Sequence, residues 1–562
     1  MTASSHYGPE LTPSRATCYR LAFSGQNRRR CFVVRWIRVR RPCAISVPSS
    51  MEILLVLYCI DVVVLSAYAL HAGTLLLLRV KSRRPWFFER MKGESARPDV
   101  TDEDLPSVTV QIPVFNECYV IERAILAASL LDYPGDRVQI QILDDSTDET
   151  HAIARDLAEA LRTRGVDVEV LHRSSRIGYK AGALAAAMPR ARGEFVAVLD
   201  ADFVPPPGWL REIFGSLRVF DDPKVGFVQS RWAYHNRETS ALTRGQAILL
   251  DKHFFIEQPA RYHSDLFFNF NGSGGIWRTT CLVDAGGWQD DTLTEDLDLS
   301  YRAQLRGWRG VYLENESVPS ELPSTLVAFK RQQRRWARGS TQTARKLAGR
   351  ILSSQASFGQ KLASGLHLTS YFFQPFLLGF VLLWPRVVLA DSPPSGGYVP
   401  VWLHLLATTL VLASVALVAA HWTERRRFAG FASDLLVALA LAVGTSFSNT
   451  VAVFQGLVSS RPGEFERTPK NAAEAWKAGY GCYDLRWDST VLGEVAMAGY
   501  GLWAVTGLWL GGFFLSALAM AFYALAYGVF AWSQLVRLFS MPVRSAFSSA
   551  AAVQSRATSG HR

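Results

Sequence analysis

Long apolar runs near both ends of the chain, with a mixed pattern between them, divide the sequence into membrane and globular parts. Residues 53–78 are apolar apart from Asp61 and His71, and further uncharged runs occupy residues 362–385, 399–422 and 495–536. An α-helix needs about 20 residues to cross a bilayer core of about 30 Å. The first three runs therefore predict one span each, and the last predicts two, with Gly511 and Gly512 near its middle forming the turn.

The run at 435–460 is apolar in its first half and polar in its second, where Ser446, Asn449 and Gln455 occur. Such a segment either crosses the membrane, or lies along its surface or re-enters it. The basic residues of the C-terminus, beginning with Arg537, favour a cytoplasmic tail and hence the second alternative. We predict five spans with one interfacial or re-entrant segment, and six spans as the alternative.

A basic cluster directly after the first span predicts the orientation of the chain. It contains Arg79, Lys81, Arg83, Arg84, Arg90 and Lys92. Short basic flanks remain in the cytoplasm, so we expect the following several hundred residues to lie there.

The net charge of +11 is concentrated at the N-terminus, where the first 50 residues contain nine Arg and one acid, Glu10. This arm contributes +8, the rest of the chain is near neutral, and no nucleic-acid partner is expected. The predicted orientation places this basic arm on the non-cytoplasmic side, which conflicts with the rule that basic flanks remain in the cytoplasm. We therefore expect Met51 to be the true start, with an organelle transit peptide as the alternative. Seven scattered cysteines without a CxxC pair predict neither a disulfide framework nor a zinc site.

Between residues 93 and 324 the pattern alternates between β-branched and amphipathic segments. Strands are predicted at 107–113, 138–143, 168–172 and 194–200, and helices at 121–131 and 149–163. Such alternation predicts an α/β domain with a Rossmann-like, mostly parallel sheet, in which ligands bind beyond the carboxyl ends of the strands.

Three acidic clusters fall at such ends. Asp144 and Asp145 close the second predicted strand, residues 200–202 (DAD) close the fourth, and residues 294–296 (TED) precede an amphipathic helix. Helix capping is the structural alternative for the first and third clusters, and a solvated turn for the second. Two carboxylates at a buried strand end, however, suit a hard divalent cation that also binds phosphate oxygens.

A basic amphipathic helix is predicted around the segment QQRRW, residues 332–336. Leu326, Phe329 and Trp336 share its apolar face, and Lys330 lies among the basic residues of the other face. The helix is typical of one lying on anionic lipid before a span. In that position it would also present Trp336 to a sugar and Arg335 to a diphosphate.

The ordered motifs D, DxD, TED and QxxRW resemble those of processive members of glycosyltransferase family 2. The segments VQSRWAYHN, FNFNGSGGIWR and DAGGWQDDTLTEDLDLSYRAQLRGW are most similar to the cellulose-synthase-like glucomannan and mannan synthases, and next to bacterial cellulose synthase. The similarity covers residues 52–535 and implies a glycosyltransferase A-type domain combined with transmembrane helices. Residues 465–470 (FERTPK) resemble the cellulose synthase gating loop F-x-V-T-x-K, but with Arg467 in place of Val.

The resemblance implies one inverting displacement. Asp296 would be the general base that takes the acceptor proton, and Glu295 would help to position it. Asp202, together with Asp200, would hold Mg²⁺ or Mn²⁺ on the diphosphate. The donor nucleotide would be bound by Asp144, Asp145, Lys180, Asp200, Arg335, Phe465 and Lys470. The glycan acceptor would be bound by Trp336, Gln332, Asn271, Gly272 and Ser273.

The expected function is polymerisation of UDP-glucose or GDP-mannose into a β-linked glycan, β-1,4 by resemblance, with export through the membrane region. A non-processive transfer to a lipid acceptor is one alternative. A nucleotide-binding transporter without transferase activity is another, although no GxxxxGK[ST] phosphate loop occurs. The expected partners are a nucleotide sugar, a glycan and the lipid bilayer of a bacterial inner membrane or the Golgi. Oligomeric state and accessory subunits stay open.

The predicted organisation follows the chain in order. It comprises a basic arm (1–50), a first span (51–80), a cytoplasmic glycosyltransferase domain (93–324), an amphipathic interface helix (325–355), two spans (362–390 and 399–422), an interfacial, re-entrant or spanning segment (429–460), a gating-like loop (461–490), two further spans (491–536) and a tail (537–562).

Overall fold

The computed structural model describes residues 50–82, 100–390, 413, 430–459, 463–465 and 488–540. The basic arm, nearly all of the predicted span at 399–422, Lys470 and the end of the tail lie outside the described residues. Predictions for those segments stay predictions.

A seven-stranded sheet forms the centre of the globular region. Its strands are β1 (Val108–Val114), β2 (Val138–Asp144), β3 (Val168–His172), β4 (Phe195–Val198), β5 (Val225–Tyr234), β6 (Gly275–Arg278) and β7 (Arg309–Ser320). Their order is β3-β2-β1-β4-β6-β5-β7. Strands β1 to β4 pair in parallel, as do β5 and β7, whereas β6 is antiparallel to both of its neighbours. The predicted α/β class with a mostly parallel sheet is confirmed.

Both faces of the sheet are covered, which explains why its central strand β4 is apolar at every position. In β4, Phe195 and Ala197 belong to one hydrophobic cluster and Val196 and Val198 to another, and all four are buried. Successive side chains of a strand point to opposite faces, so the two clusters lie on opposite sides of the sheet. Because both faces of the sheet are covered, functional polar side chains are expected at the ends of the strands.

Helices of the described residues connect the strands and form the candidate membrane segments. They are α1 (Ser50–Lys81), α2 (Ile121–Ser129), α3 (Thr150–Arg162), α4 (Tyr179–Ala187), α5 (Trp209–Arg211), α6 (Ala241–Asp251), α7 (Gln258–His263), α8 (Thr279–Asp284), α9 (Glu295–Leu305), α10 (Leu326–Ser353), α11 (Phe358–Leu368), α12 (Phe373–Val388), α13 (Phe431–Gly444), α14 (Ser446–Val458), α15 (Thr490–Leu510) and α16 (Phe514–Ser540). A π-helical turn, Lys252–Glu257, joins α6 to α7.

Four helical segments among the described residues are long and apolar enough to cross a membrane. They are Met51–Lys81, Ser370–Val388, Thr490–Leu510 and Phe514–Val536. The pair α13 and α14 is bent by 43° and forms either a broken fifth span or a re-entrant loop. We conclude that the chain is a membrane protein. The second span begins at Ser370 and not at residue 362, because α11 ends at Leu368.

Helix α10 contains QQRRW and is tied to the membrane helices by buried charges. Lys330, which is 1% exposed, forms an ion pair with Glu494 of α15 and lies 3.3 Å from Asp488. Arg334 contacts Asp488 at 2.9 Å. The pattern places Lys330 among the basic residues that line the rest of this helix, whereas the structure buries it against a membrane helix. Its partners are more than 150 residues away in sequence, so no local pattern could indicate the pairing.

Candidate active site

One cavity opens at the carboxyl ends of the central strands, and residues from all four predicted motifs line it. The predicted site residues that line it are Asp145, Lys180, Asp200, Asp202, Asn271, Gly272, Glu295, Asp296, Gln332, Arg335, Trp336 and Phe465. These positions span more than 300 residues of sequence. Five of these residues are acidic and two are cationic, and they meet in one place with the indole ring of Trp336.

Lys180 forms the cationic centre of this cavity. Its ammonium Nζ donates to Asp200 Oδ1 at 2.6 Å and to the Gly272 carbonyl at 2.9 Å, and it lies 3.8 Å from Glu295 Oε1. Burial alone would lower the pKa of Lys180, but the carboxylates of Asp200 and Glu295 raise it above the ordinary value. Lys180 therefore stays charged and partly neutralises the acidic cluster.

Asp296 and Glu295 begin helix α9 and face Lys180. Burial and the neighbouring charge of Glu295 raise the pKa of Asp296 to about 7. Burial likewise raises the pKa of Glu295, with Lys180 opposing the shift. Asp296 Oδ1 accepts a hydrogen bond from the Leu297 amide at 2.8 Å, which fixes the orientation of the carboxylate. A carboxylate with a pKa near neutrality is a competent proton acceptor.

The loop before β6 brings backbone against this carboxylate. Gly272 has a φ of +84°, and a Cβ added there would lie 2.8 Å from Asp296 Oδ2. Only glycine adopts that conformation without strain and leaves room for the carboxylate. The neighbouring Ser273 is fully buried, does not line the cavity, and accepts a hydrogen bond from the Asp200 amide at 2.8 Å.

Asp202 lies at the rear of the cavity beside a residue that sequence analysis missed. Its Oδ2 accepts from the Glu321 amide at 3.0 Å. The Glu321 carboxylate lies 3.3 Å from Arg123 and 3.7 Å from His235. Glu321 follows β7, a strand that was not among the predicted ones, so no local signal pointed to it. Asp200 and Asp202 both present carboxylate oxygens to the cavity, the donor type preferred by Mg²⁺ and Mn²⁺.

The two residues of the first acidic motif have different surroundings. Asp145 lines the cavity and is held by Arg173 through two hydrogen bonds of 2.7 and 2.6 Å. Asp144 is fully buried and does not line the cavity. Its carboxylate instead contacts His151 and His172. Nucleotide contact therefore stays a prediction that the geometry favours for Asp145 over Asp144.

Phe465 is the described part of the gating-like loop and is seated among cationic and aromatic side chains. Its ring lies 4.1 Å from the Arg335 guanidinium and 6.3 Å, stacked, from the Tyr179 ring. Its carbonyl accepts from Arg176 at 3.2 Å. Phe465 thus contacts both QxxRW and the segment RIGYKAGAL, although these lie about 150 residues apart.

Asn271 is positioned by three side chains that local motifs did not indicate. Its amide Nδ2 lies 2.8 Å from His253 Nε2, and Gln258 donates to its Oδ1 at 2.6 Å. Gln229 accepts from its backbone amide at 2.7 Å. His253 belongs to the π-helical turn, a feature that often marks functional sites.

Comparisons with known proteins identify the family of the chain. The model of the family "Glycosyltransferase like family 2" matches residues 106–339. The chain is 39% identical over 322 residues to a probable glucomannan 4-beta-mannosyltransferase of Oryza sativa subsp. japonica, covering 56% of this chain and 54% of the relative. It is 33% identical over 419 residues to glucomannan 4-beta-mannosyltransferase 7 of Arabidopsis thaliana, covering 71% and 73%.

The family match defines the class of protein, a glycosyltransferase. The chain belongs to glycosyltransferase family 2, in the cellulose-synthase-like group of the glucomannan synthases. The matched region spans 54% and 60% of the length of the first two curated relatives. Among solved structures, a mannosyltransferase from Pyrobaculum calidifontis in complex with GDP-Man and Mn²⁺ is similar with a TM-score of 0.43 and 20% identity, covering 70% of this chain and 99% of that one.

Proposed function

We propose that the chain is an inverting membrane glycosyltransferase that transfers hexose from a nucleotide sugar onto a β-linked glycan. The observation that carries the proposal is the convergence of Asp145, Asp202 and Asp296 on one cavity with Trp336. The names of the relatives, glucomannan 4-beta-mannosyltransferases, support transfer of mannose in a 4-β linkage, and we propose GDP-mannose as its donor. UDP-glucose is retained as a second donor.

The proposed displacement uses Asp296 as general base. Asp296 accepts the proton of the acceptor hydroxyl as its oxygen bonds to the anomeric carbon, while the bond from that carbon to the diphosphate breaks. The nucleoside diphosphate leaves with the electron pair of that bond. Lys180 and Arg335 line the cavity and would stabilise the charge that grows on the leaving group.

The carboxylates of Asp200 and Asp202 fit a hard divalent cation. They lie two residues apart after β4 and offer only oxygen ligands, and Lys180 already places a positive charge against Asp200. Bound Mg²⁺ or Mn²⁺ would supply positive charge to the diphosphate. We assign these two residues to the metal.

Polymerisation and export are proposed from the position of Trp336. Trp336 lines the cavity. Two residues further along α10, the Arg338 carbonyl packs against α14, since a Cβ added to Gly456 of α14 would lie 2.8 Å from it. The proposed acceptor site is therefore next to a helix of the bent membrane pair. An indole ring offers a flat apolar surface to a sugar ring.

The test uses the full chain in lipid nanodiscs with radiolabelled GDP-mannose or UDP-glucose. We expect one donor to give a long product on a sizing gel that a β-1,4-specific hydrolase shortens. EDTA should stop synthesis, and added Mg²⁺ or Mn²⁺ should restore it. A single sugar on an extracted lipid would contradict polymerisation. Failure of both donors to release nucleoside diphosphate would contradict the transferase.

Sugar transfer is expected to increase with pH through the pKa of Asp296, about 7, because only the ionised carboxylate accepts a proton. The measurement is kcat/KM between about pH 5 and 9. Glu295→Gln removes a negative charge that raises the pKa of Asp296. The ascending limb of the kcat/KM profile of this variant should therefore move to lower pH. An unchanged limb in this variant would contradict the assignment of the limb to Asp296.

A further inference from the structure

Asp144, His151 and His172 form a compact cluster at the carboxyl ends of β2 and β3. Asp144 Oδ2 lies 2.6 Å from His151 Nδ1 and 2.8 Å from His172 Nδ1. The three ligand atoms all lie within 4.8 Å of one another. Asp144 Oδ1 accepts from the Ser146 amide at 2.9 Å, which fixes the carboxylate with its other oxygen towards the imidazoles.

The cluster is separate from the cavity of the proposed transfer reaction. None of its three residues lines that cavity. Asp144 and His172 are partners in the β2–β3 register, and the residues that follow them, Asp145 and Arg173, form the pair beside the donor site. Asp145 and Arg173 lie one residue beyond the ends of β2 and β3 and contact each other, whereas Asp144 and His172 contact one another within the cluster.

We propose that Asp144, His151 and His172 bind a transition-metal ion of the Zn²⁺ type. Two imidazole nitrogens and one carboxylate oxygen suit such an ion, whereas Mg²⁺ prefers oxygen ligands alone. The scattered cysteines had predicted no zinc site, but the ligands here are histidines from two elements 21 residues apart. Neither histidine lies in a recognisable local metal motif.

The geometry allows an open coordination sphere. The side chain of Asp144 is fully buried, whereas those of His151 and His172 are 38% and 39% exposed. Ligand atoms around a tetrahedral Zn²⁺ with bonds of about 2.0 to 2.1 Å lie about 3.3 Å apart. The distances from Asp144 Oδ2 to the two imidazole Nδ1 atoms therefore need to widen by roughly half an ångström. Small rotations of the partly exposed His151 and His172 rings provide this change. Water would complete the coordination.

The binding test uses the full chain in lipid nanodiscs, without a polyhistidine tag and stripped of metal. Asp202→Asn serves as the background so that the carboxylate pair of the donor site is disrupted. Zn²⁺ alone is titrated against a chromophoric chelator, and Co²⁺ alone is followed by its visible absorption. We expect one Zn²⁺ per chain and d–d bands typical of nitrogen and oxygen ligation.

The double variant His151→Gln/His172→Gln keeps amide donors for Asp144 but removes both imidazoles. It should bind Zn²⁺ at least about tenfold more weakly and lose the Co²⁺ bands. If the double variant fails to fold, His172→Gln alone, at a partly exposed position, should also weaken Zn²⁺ binding. His263→Gln is the matched control and should bind as the parent does. A parent that binds no Zn²⁺, or variants that bind as tightly as the parent, would show a purely hydrogen-bonded triad and overturn the proposal.

Discussion

Asp296→Asn is expected to reduce sugar transfer by about 10² to 10⁴-fold, the range that general-base catalysis contributes, while donor binding persists. The amide cannot accept the acceptor proton, yet it preserves the volume of the side chain beside Gly272 and Lys180. The measurement is the rate of nucleoside diphosphate release at saturating donor, with nucleotide affinity determined separately by calorimetry. This prediction rests on the proposed function.

The matched control is Asp156→Asn, which makes the same change at an exposed carboxylate on α3, 69% accessible to solvent. It should leave the rate within a factor of about two, because surface substitutions have small effects. Wild-type turnover in Asp296→Asn would remove Asp296 from the role of base. Loss of nucleotide affinity in parallel with turnover would indicate a structural role.

Gly272→Ala should lower transfer by at least about a hundredfold, because a displacement of about 1 Å at reacting groups has that effect. The added Cβ would lie 2.8 Å from Asp296 Oδ2 and 3.5 Å from Lys180 Nζ. Either the carboxylate or the loop must move. The measurement is kcat at saturating donor and acceptor, together with the thermal unfolding midpoint.

Gly165→Ala is the control that distinguishes the effect of backbone strain from displacement of the Asp296 carboxylate. Gly165 also has a φ of +84°, but nothing lies within 4 Å of its hypothetical Cβ. Both variants should lose stability to a similar extent, and only Gly272→Ala should lose activity. Equal activity losses would show that backbone strain, and not contact with Asp296, explains the effect.

The helices and strands of the globular region were predictable because the local spacing of apolar and polar residues specifies each of them. Strand β3 was predicted at its observed bounds, and β1 was displaced by one residue. Apolar runs covered on both faces and amphipathic crossovers left little choice of fold class. Four motifs at strand ends and helix starts then indicated one site, since parallel strands bring their carboxyl ends together.

What local pattern could not provide was the direction of individual side chains and the pairing of distant charges. Asp144 and Asp145 are adjacent in sequence, yet only Asp145 lines the cavity, and Asp144 contacts His151 and His172 instead. Ser273 carries a hydroxyl in the acceptor-like motif, but it is buried against the Asp200 amide. His253 and Gln258 position Asn271 from a π-helical turn that no sequence period indicated.

The ion pair between Lys330 and Glu494 couples the globular region to the membrane helices. A fragment ending after helix α10 would lose both acidic partners of Lys330 together with the helices that cover this residue. The apolar side chains that α10 buries against those helices, such as Phe329 against Leu441 and Phe530, would then meet water at a cost of about 25 cal/mol per Å². Because the same helix holds Gln332, Arg335 and Trp336, the penalty would fall on the part of the chain that completes the cavity. A water-soluble catalytic fragment would thus require polar residues on the side of α10 that packs against the membrane helices.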